Sequence, residues 1–123
     1  MTRSKIRTVH IDQISSLKKL TIQDLIVFYD ACEDALGGAQ GIMNQPRASD
    51  KAEALIEELL TEHCGLLMGA AIKELEGRKP TNERDLELRN ACLARHQIFS
   101  GEFTAAVKTL LDIGTRPAVA KAA

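Results

Sequence analysis

Aromatic side chains are scarce in this chain. Tryptophan is absent, and one tyrosine and three phenylalanines are the only aromatic residues among 123 positions. A stacking platform for single-stranded nucleic acid needs several exposed rings, so the composition disfavours that class of binding surface. The interior must instead be filled mostly by aliphatic side chains.

Disulfide patterns and long apolar runs are also missing. The three cysteines, Cys32, Cys64 and Cys92, are widely spaced and form no C-x-x-C pair. An odd set of this kind argues against a disulfide framework and favours a reducing compartment. No stretch of about eighteen apolar residues occurs, so no membrane span is expected. We therefore expect a cytoplasmic protein of a bacterial kind without membrane partners.

The charge is balanced, with 16 basic and 17 acidic residues and a formal net charge of −1. No global field therefore draws the chain to nucleic acid. A local foothold for phosphates exists near the N-terminus, where five basic residues cluster, namely Arg3, Lys5, Arg7, Lys18 and Lys19. Because no helix-turn-helix spacing follows them, a DNA-associated accessory protein is only an alternative hypothesis.

The rest of the chain has helical periodicity. Thr21 followed by Asp24 predicts the N-terminus of a first helix. Its end is open, because three glycines separate Leu36 from Met43 and each disfavours a helix. The helix either stops near Leu36 or continues to Met43. We favour continuation, because the loop would otherwise be long for a compact domain.

Helix-capping and helix-breaking residues predict three further helices. The second runs from Ser49 to Gly77, the third from Thr81 or Asn82 to about Ser100, and the fourth from about Glu102 to Ile113, closed by Gly114. Short connections force neighbouring helices to pack together. The prediction is an all-α, small antiparallel bundle of about four helices over residues 21–114, with an extended or partly helical N-terminal arm (1–20) and a loose C-terminal tail (115–123).

The second helix carries a histidine at the centre of its main apolar arc. At about 100° per residue His63 lies among the following residues, which are expected to face the core: Ala52, Leu55, Ile56, Leu59, Leu60, Leu66, Leu67, Ala70 and Ala71. In the same way, Arg95 lies at the centre of the apolar arc of the third helix. With Tyr29 and Glu33, four apart on the first helix, these two side chains are predicted to converge.

This convergence has two interpretations. In the functional one, His63 acts as an acid or base, or Arg95 holds an anionic ligand, in a small ligand-binding or catalytic pocket. In the simpler one, the four side chains form an internal network, or the arginine reaches past the core to solvent. We favour the simpler interpretation, and no catalytic residue is assigned.

Metal ligation is a weaker candidate. Cys92 and His96 have the i, i+4 spacing that lets two helical side chains share an ion, and His63 adjoins Cys64. However, His96 falls off the apolar arc of Cys92, and the Glu-x-x-His pairs of di-iron bundles are missing. Neither a metal site nor a cofactor is predicted.

A second apolar face lies behind the main arc of the second helix, where two glycines are spaced by four. It comprises Thr61, Gly65, Met68, Gly69 and Ile72, and the third helix adds Leu86 and Leu93. Such faces indicate either a centrally buried helix pair or an isologous dimer interface. We favour the dimer, because four helices are few to cover both sides of two of them.

The functional expectation follows from these faces. The primary hypothesis is a non-enzymatic helical protein-interaction module, an adaptor or regulatory subunit, that forms a homodimer. The alternatives are the small-ligand or catalytic pocket around His63 and Arg95 and the DNA-associated protein described above.

Overall fold

The computed structural model describes residues 15–115. A short 3-10 helix, Ser16–Lys19, precedes four helices. α1 spans Ile22–Met43; α2 joins α-helical Asp50–Ile56, a π-helical turn Glu57–Thr61 and α-helical Glu62–Glu76; α3 spans Glu83–Phe99 and α4 spans Phe103–Thr115. The predicted all-α bundle of about four helices is confirmed. Residues 1–14 and 116–123, which hold most of the predicted arm and tail, lie outside the described residues.

Side-chain caps fix where the first three helices begin. The Thr21 hydroxyl accepts a hydrogen bond from the Asp24 amide at 3.1 Å, and the Asp24 carboxylate accepts one from the Thr21 amide in return. Ser49 Oγ accepts a hydrogen bond from the Ala52 amide at 3.2 Å at the start of α2, and Asn82 Oδ1 accepts one from the Asp85 amide at 2.8 Å at the start of α3. Each cap satisfies amides that the first turn of a helix leaves without partners.

α1 has the favoured length, whereas α4 ends later than predicted. α1 continues through its glycines to Met43, as favoured above. α4 does not close at Gly114 but extends to Thr115. The π turn of α2 was not predicted. It is accompanied by a hydrogen bond in which the Thr61 hydroxyl donates to the Glu57 carbonyl at 2.8 Å, and its extra residue shifts the helical phase after it.

The core lies between α1 and α2. Leu25 and Tyr29 of α1 and Met68, Ala71 and Leu75 of α2 are all 0% exposed. α3 packs on this pair, and the main packing partner of α4 is α3. The bundle is therefore a two-helix layer with a hairpin of α3 and α4 attached along one side.

The buried face of α2 matches the predicted one only in part, because Ala71 of the expected arc is buried and Leu67 and Ala70 pack against the core. Residues of the expected core arc are half exposed, including Leu55, Leu59 and Leu66, whereas Met68 and Ile72 of the opposite face are buried. At 100° per residue the two faces differ by roughly a third of a turn. Both faces are apolar, so periodicity alone favoured the one that carries more leucines.

Arg78 joins the 3-10 helix to the end of α2. Its Nη atoms donate to the carbonyl oxygens of Leu17, Lys18 and Leu20, and its Nε donates to Glu74 at 2.9 Å. These carbonyls lie in the last turn of a helical segment, and the Leu17 carbonyl also accepts a hydrogen bond from the Leu20 amide at 3.1 Å. Leu17 itself is buried against the core. One guanidinium thus holds the N-terminal segment in place.

Replacing this arginine should loosen the segment. Arg78→Ala leaves the carbonyls without their charged donor, so we expect the free energy of unfolding to fall by about 2 kcal/mol. Urea denaturation followed by circular dichroism measures the change. The matched control is Lys79→Ala at the exposed neighbouring position, with an expected effect within about 0.5 kcal/mol. Equal losses in the two variants would contradict the role of Arg78.

Candidate functional site: a polar cluster and two exposed apolar surfaces

Three of the four predicted pocket residues meet where α1 packs on α3. The polar cluster comprises Tyr29, Asp30 and Glu33 of α1 and Cys92, Arg95 and His96 of α3. The Arg95 guanidinium hydrogen-bonds the Asp30 carboxylate, and its Nε lies 3.8 Å from a carboxylate oxygen of Glu33. The same guanidinium lies over the Tyr29 ring, 5.2 Å from its centre. Arg95 thus has two carboxylate partners, of which Asp30 is the closer.

Tyr29 and His96 form the inner half of the cluster. The Tyr29 hydroxyl and His96 Nδ1 share a hydrogen bond of 3.0 Å, with the rings edge to face. His96 in turn stacks on Phe99. Because Tyr29 is fully buried, this bond gives its hydroxyl a partner within the interior.

Burial sets the protonation states of the cluster. Burial, helped by the Glu33 carboxylate, raises the pKa of Tyr29 to about 12. Burial also raises the pKa of the Cys92 thiol to about 11 and lowers the pKa of His96. At neutral pH the phenol and the thiol therefore keep their protons and the imidazole is uncharged. A protonated thiol is a poor nucleophile, so the cluster holds no activated nucleophile.

Arg95 does not project into the core, as the sequence suggested. Its side chain is 45% exposed, and Asp30 and Glu33 are also partly exposed. An ion pair this exposed contributes little to stability, about 1 kcal/mol at most. The cluster is a contact between two helices with an arginine at its solvent edge, in agreement with the simpler interpretation.

His63 is the fourth predicted pocket residue. It is partly buried on α2 and takes no part in the hydrogen bonds, ion pairs and ring contacts that define the polar cluster. The predicted convergence therefore joins three side chains rather than four. The physical reason is the rotation of α2, whose inward face contains Met68 and Leu75 instead of the arc centred on His63.

An open groove lies between α1 and α2. The aliphatic groove has a volume of about 320 Å³ and is lined by Ala35, Gly38, Ala39, Ile42, Ile56, Leu60 and Cys64. The wall that α1 contributes is built mostly from small residues, and a Cβ added at Gly38 would meet no atom within 4 Å. The groove is therefore concave, apolar and empty enough to accept side chains from outside.

Large aliphatic side chains surround this groove in solvent. Ile42 and Leu60 line it and are 44% and 50% exposed, and three leucines on the adjoining flank of α2, Leu55, Leu59 and Leu66, are 48% to 57% exposed. Scattered apolar residues on a surface need no explanation, but five large ones on one helix pair are a substantial exposed apolar area. Such patches mark binding sites in soluble proteins.

A second apolar surface runs along α4. The α4 stripe comprises Phe103, Val107, Leu110 and Leu111, which are 46% to 63% exposed and follow the i, i+4, i+7, i+8 spacing of one helix face. Smaller side chains of α4 pack on α3 instead. Ala106 is buried, and the Thr109 hydroxyl donates to Oε1 of Gln97 at 2.9 Å. Among the side chains of α4 that the structure describes, the large apolar ones are therefore more exposed than Ala106.

The predicted dimer face is mostly inside the chain. Five of its seven residues are buried within the monomer, namely Thr61, Met68, Ile72, Leu86 and Leu93. They form the chain's own core or its margins, so they are not accessible to a partner. Gly65 and Gly69 are more open, and a Cβ added at either would meet no atom within 4 Å. These glycines make no close helix approach within the chain.

Comparisons with protein-family models, curated proteins and solved structures found no match to this chain. Within residues 15–115, no group of three or more histidine, cysteine, aspartate or glutamate side chains is arranged to hold a metal ion. No helix in the same part of the chain is long and apolar enough to cross a membrane.

The glycines of α2 offer a test of where the surface for a partner lies. Gly65→Ala and Gly69→Ala fill open space and improve helix propensity, so each should raise the free energy of unfolding by about 0.5–1 kcal/mol. Chemical denaturation measures this, with Gly37→Ala in α1 as the matched control. The mass in solution should not change. A loss of self-association in the α2 variants alone would restore the glycine face as the interface.

Proposed function

We propose that this chain is a non-enzymatic helical protein-interaction module that self-associates through its exposed apolar surfaces. The observation that carries the proposal is the pair of surfaces described above, the aliphatic groove with its flanking leucines and the α4 stripe. Together they place nine large apolar side chains about half in solvent. Covering them by a second protein chain removes that surface from water, which is the main driving force of protein association.

The size of these surfaces supports the proposal. A half-exposed leucine or phenylalanine offers about 80 Å² of apolar area, so the groove patch and the α4 stripe measure roughly 300–400 Å² each. A typical monomer has a single patch of about this size as its largest. This chain has two patches of this size, on different helices. Both consist of apolar side chains and contain no catalytic group.

The polar cluster supports no catalytic alternative. Arg95 is neutralised by two carboxylates, and Tyr29 and Cys92 keep their protons at neutral pH. A catalytic or anion-binding site needs a group free to react or to bind. We assign the cluster the structural role of fixing α3 against α1. The free thiols of the three cysteines agree with a reducing, cytoplasmic setting, which forms part of the proposal.

Self-association has a direct measurement. Sedimentation equilibrium at tens of micromolar should give twice the 13.4 kDa of one chain, and the melting temperature should rise with protein concentration, because assembly stabilises the folded state by mass action. A variant carrying both Leu60→Glu and Leu110→Glu should sediment as a monomer. Val27→Glu, at an exposed valine outside both surfaces, is the control and should remain a dimer. A monomeric wild type at these concentrations would contradict the proposed function.

A further inference from the structure

We propose that two copies of the chain form a dimer by reciprocal docking. The α4 stripe of each copy lies in the aliphatic groove of the other. The inference rests on the proposed function for the identity of the partner, a second copy, and goes beyond it in naming which surfaces meet. The dimer is two-fold symmetric and contains the stripe-to-groove contact twice.

The groove cannot be filled by α4 of the same chain. Asp30 and Glu33, which bind Arg95 of α3, lie roughly 160° around α1 from the groove-lining residues at 100° per residue. α3 therefore covers the opposite side of α1. α4 follows after a short turn at Gly101 and is tied to α3 by the bond between Thr109 and Gln97. Its stripe is held away from its own groove.

The two surfaces are complementary in shape and chemistry. The α4 stripe is a convex row of large side chains with the spacing that amphipathic helices use when they bind in grooves. The opposing wall is built from Ala35, Gly38 and Ala39, which leave room for them. The lengths also match, because the stripe and the groove each extend about 10–12 Å along a helix axis at 1.5 Å per residue.

The buried apolar area favours a dimer with two stripe-to-groove contacts over one with a single contact. Nine half-exposed side chains of about 80 Å² each, counted in both copies of the contact, set an upper bound of roughly 1,400 Å² on the apolar area buried. Specific complexes bury about 1,200–2,000 Å², so the exchanged dimer reaches this range and one stripe-to-groove contact does not. A symmetric pairing of stripe with stripe, or of groove with groove, covers only one surface and leaves the other in water.

Mixing two variants tests the exchange. Leu60→Glu damages the groove and leaves the stripe intact, whereas Leu110→Glu does the reverse. In the exchanged dimer every contact needs one groove and one stripe, so each variant alone should sediment mainly as a monomer. The mixed dimer has one intact contact and one damaged contact, so an equimolar mixture should associate more strongly than either variant alone but more weakly than the wild type.

The other results overturn the exchange in distinguishable ways. If the Leu60→Glu variant alone dimerises like the wild type, the stripes pair with each other; if the Leu110→Glu variant does so, the grooves pair. If both variants are monomers and the mixture regains nothing, neither surface is exchanged. All three outcomes leave a dimeric wild type and hence the proposed function, whereas a monomeric wild type removes both.

Folding controls keep these results interpretable. Leu60 and Leu110 are each about half exposed, so the charged variants should retain the helical circular dichroism spectrum of the wild type. Val27→Glu adds the same charge to α1 outside both surfaces and should dimerise normally, which separates a local effect from simple repulsion. Leu60→Met and Leu110→Met keep the apolar character and should also retain the dimer.

Discussion

The attachment of α3 to one flank of α1 is the constraint on which the remaining surfaces depend. Arg95 bridges to Asp30 and Glu33 at the solvent edge, and the hydrogen bond between Tyr29 and His96 fixes the inner edge. Since α4 packs mainly on α3, both helices of the second hairpin lie on that side. Within residues 15–115, no helix covers the other flank of the α1 and α2 pair.

If α4 packed on the groove side of α1 and α2, it would bury this flank. Because α4 packs on α3 instead, the leucines of this flank stay exposed. In the described part of α4, Ala106 is buried, whereas Phe103 and Leu110 are 63% and 46% exposed. In the proposed dimer, the second copy covers apolar surfaces that residues 15–115 of one chain leave exposed.

The sequence predicted the helices better than their orientations. Caps at Thr21, Ser49 and Asn82 are local signals and placed the helix starts correctly. The inward face of α2 was misassigned because Leu59 and Met68 lie on two apolar faces that periodicity cannot rank, and because the π turn has no sequence signature. Asp30 and His96 of the polar cluster were missed as partners, since their proximity depends on how α3 crosses α1. The small residues of the groove wall were visible only as helix-weakening glycines and alanines.

Disulfide trapping tests the exchange of α4 most directly. Cys64 lines the groove as a free thiol, while Cys32 and Cys92 are buried. The Leu110→Cys variant is treated with a thiol oxidant such as diamide. We expect a covalent dimer in which the introduced thiol forms a disulfide with Cys64 of the second copy. Peptide mass spectrometry identifies the linked cysteines. A disulfide between two introduced thiols, or between two copies of Cys64, would contradict this expectation.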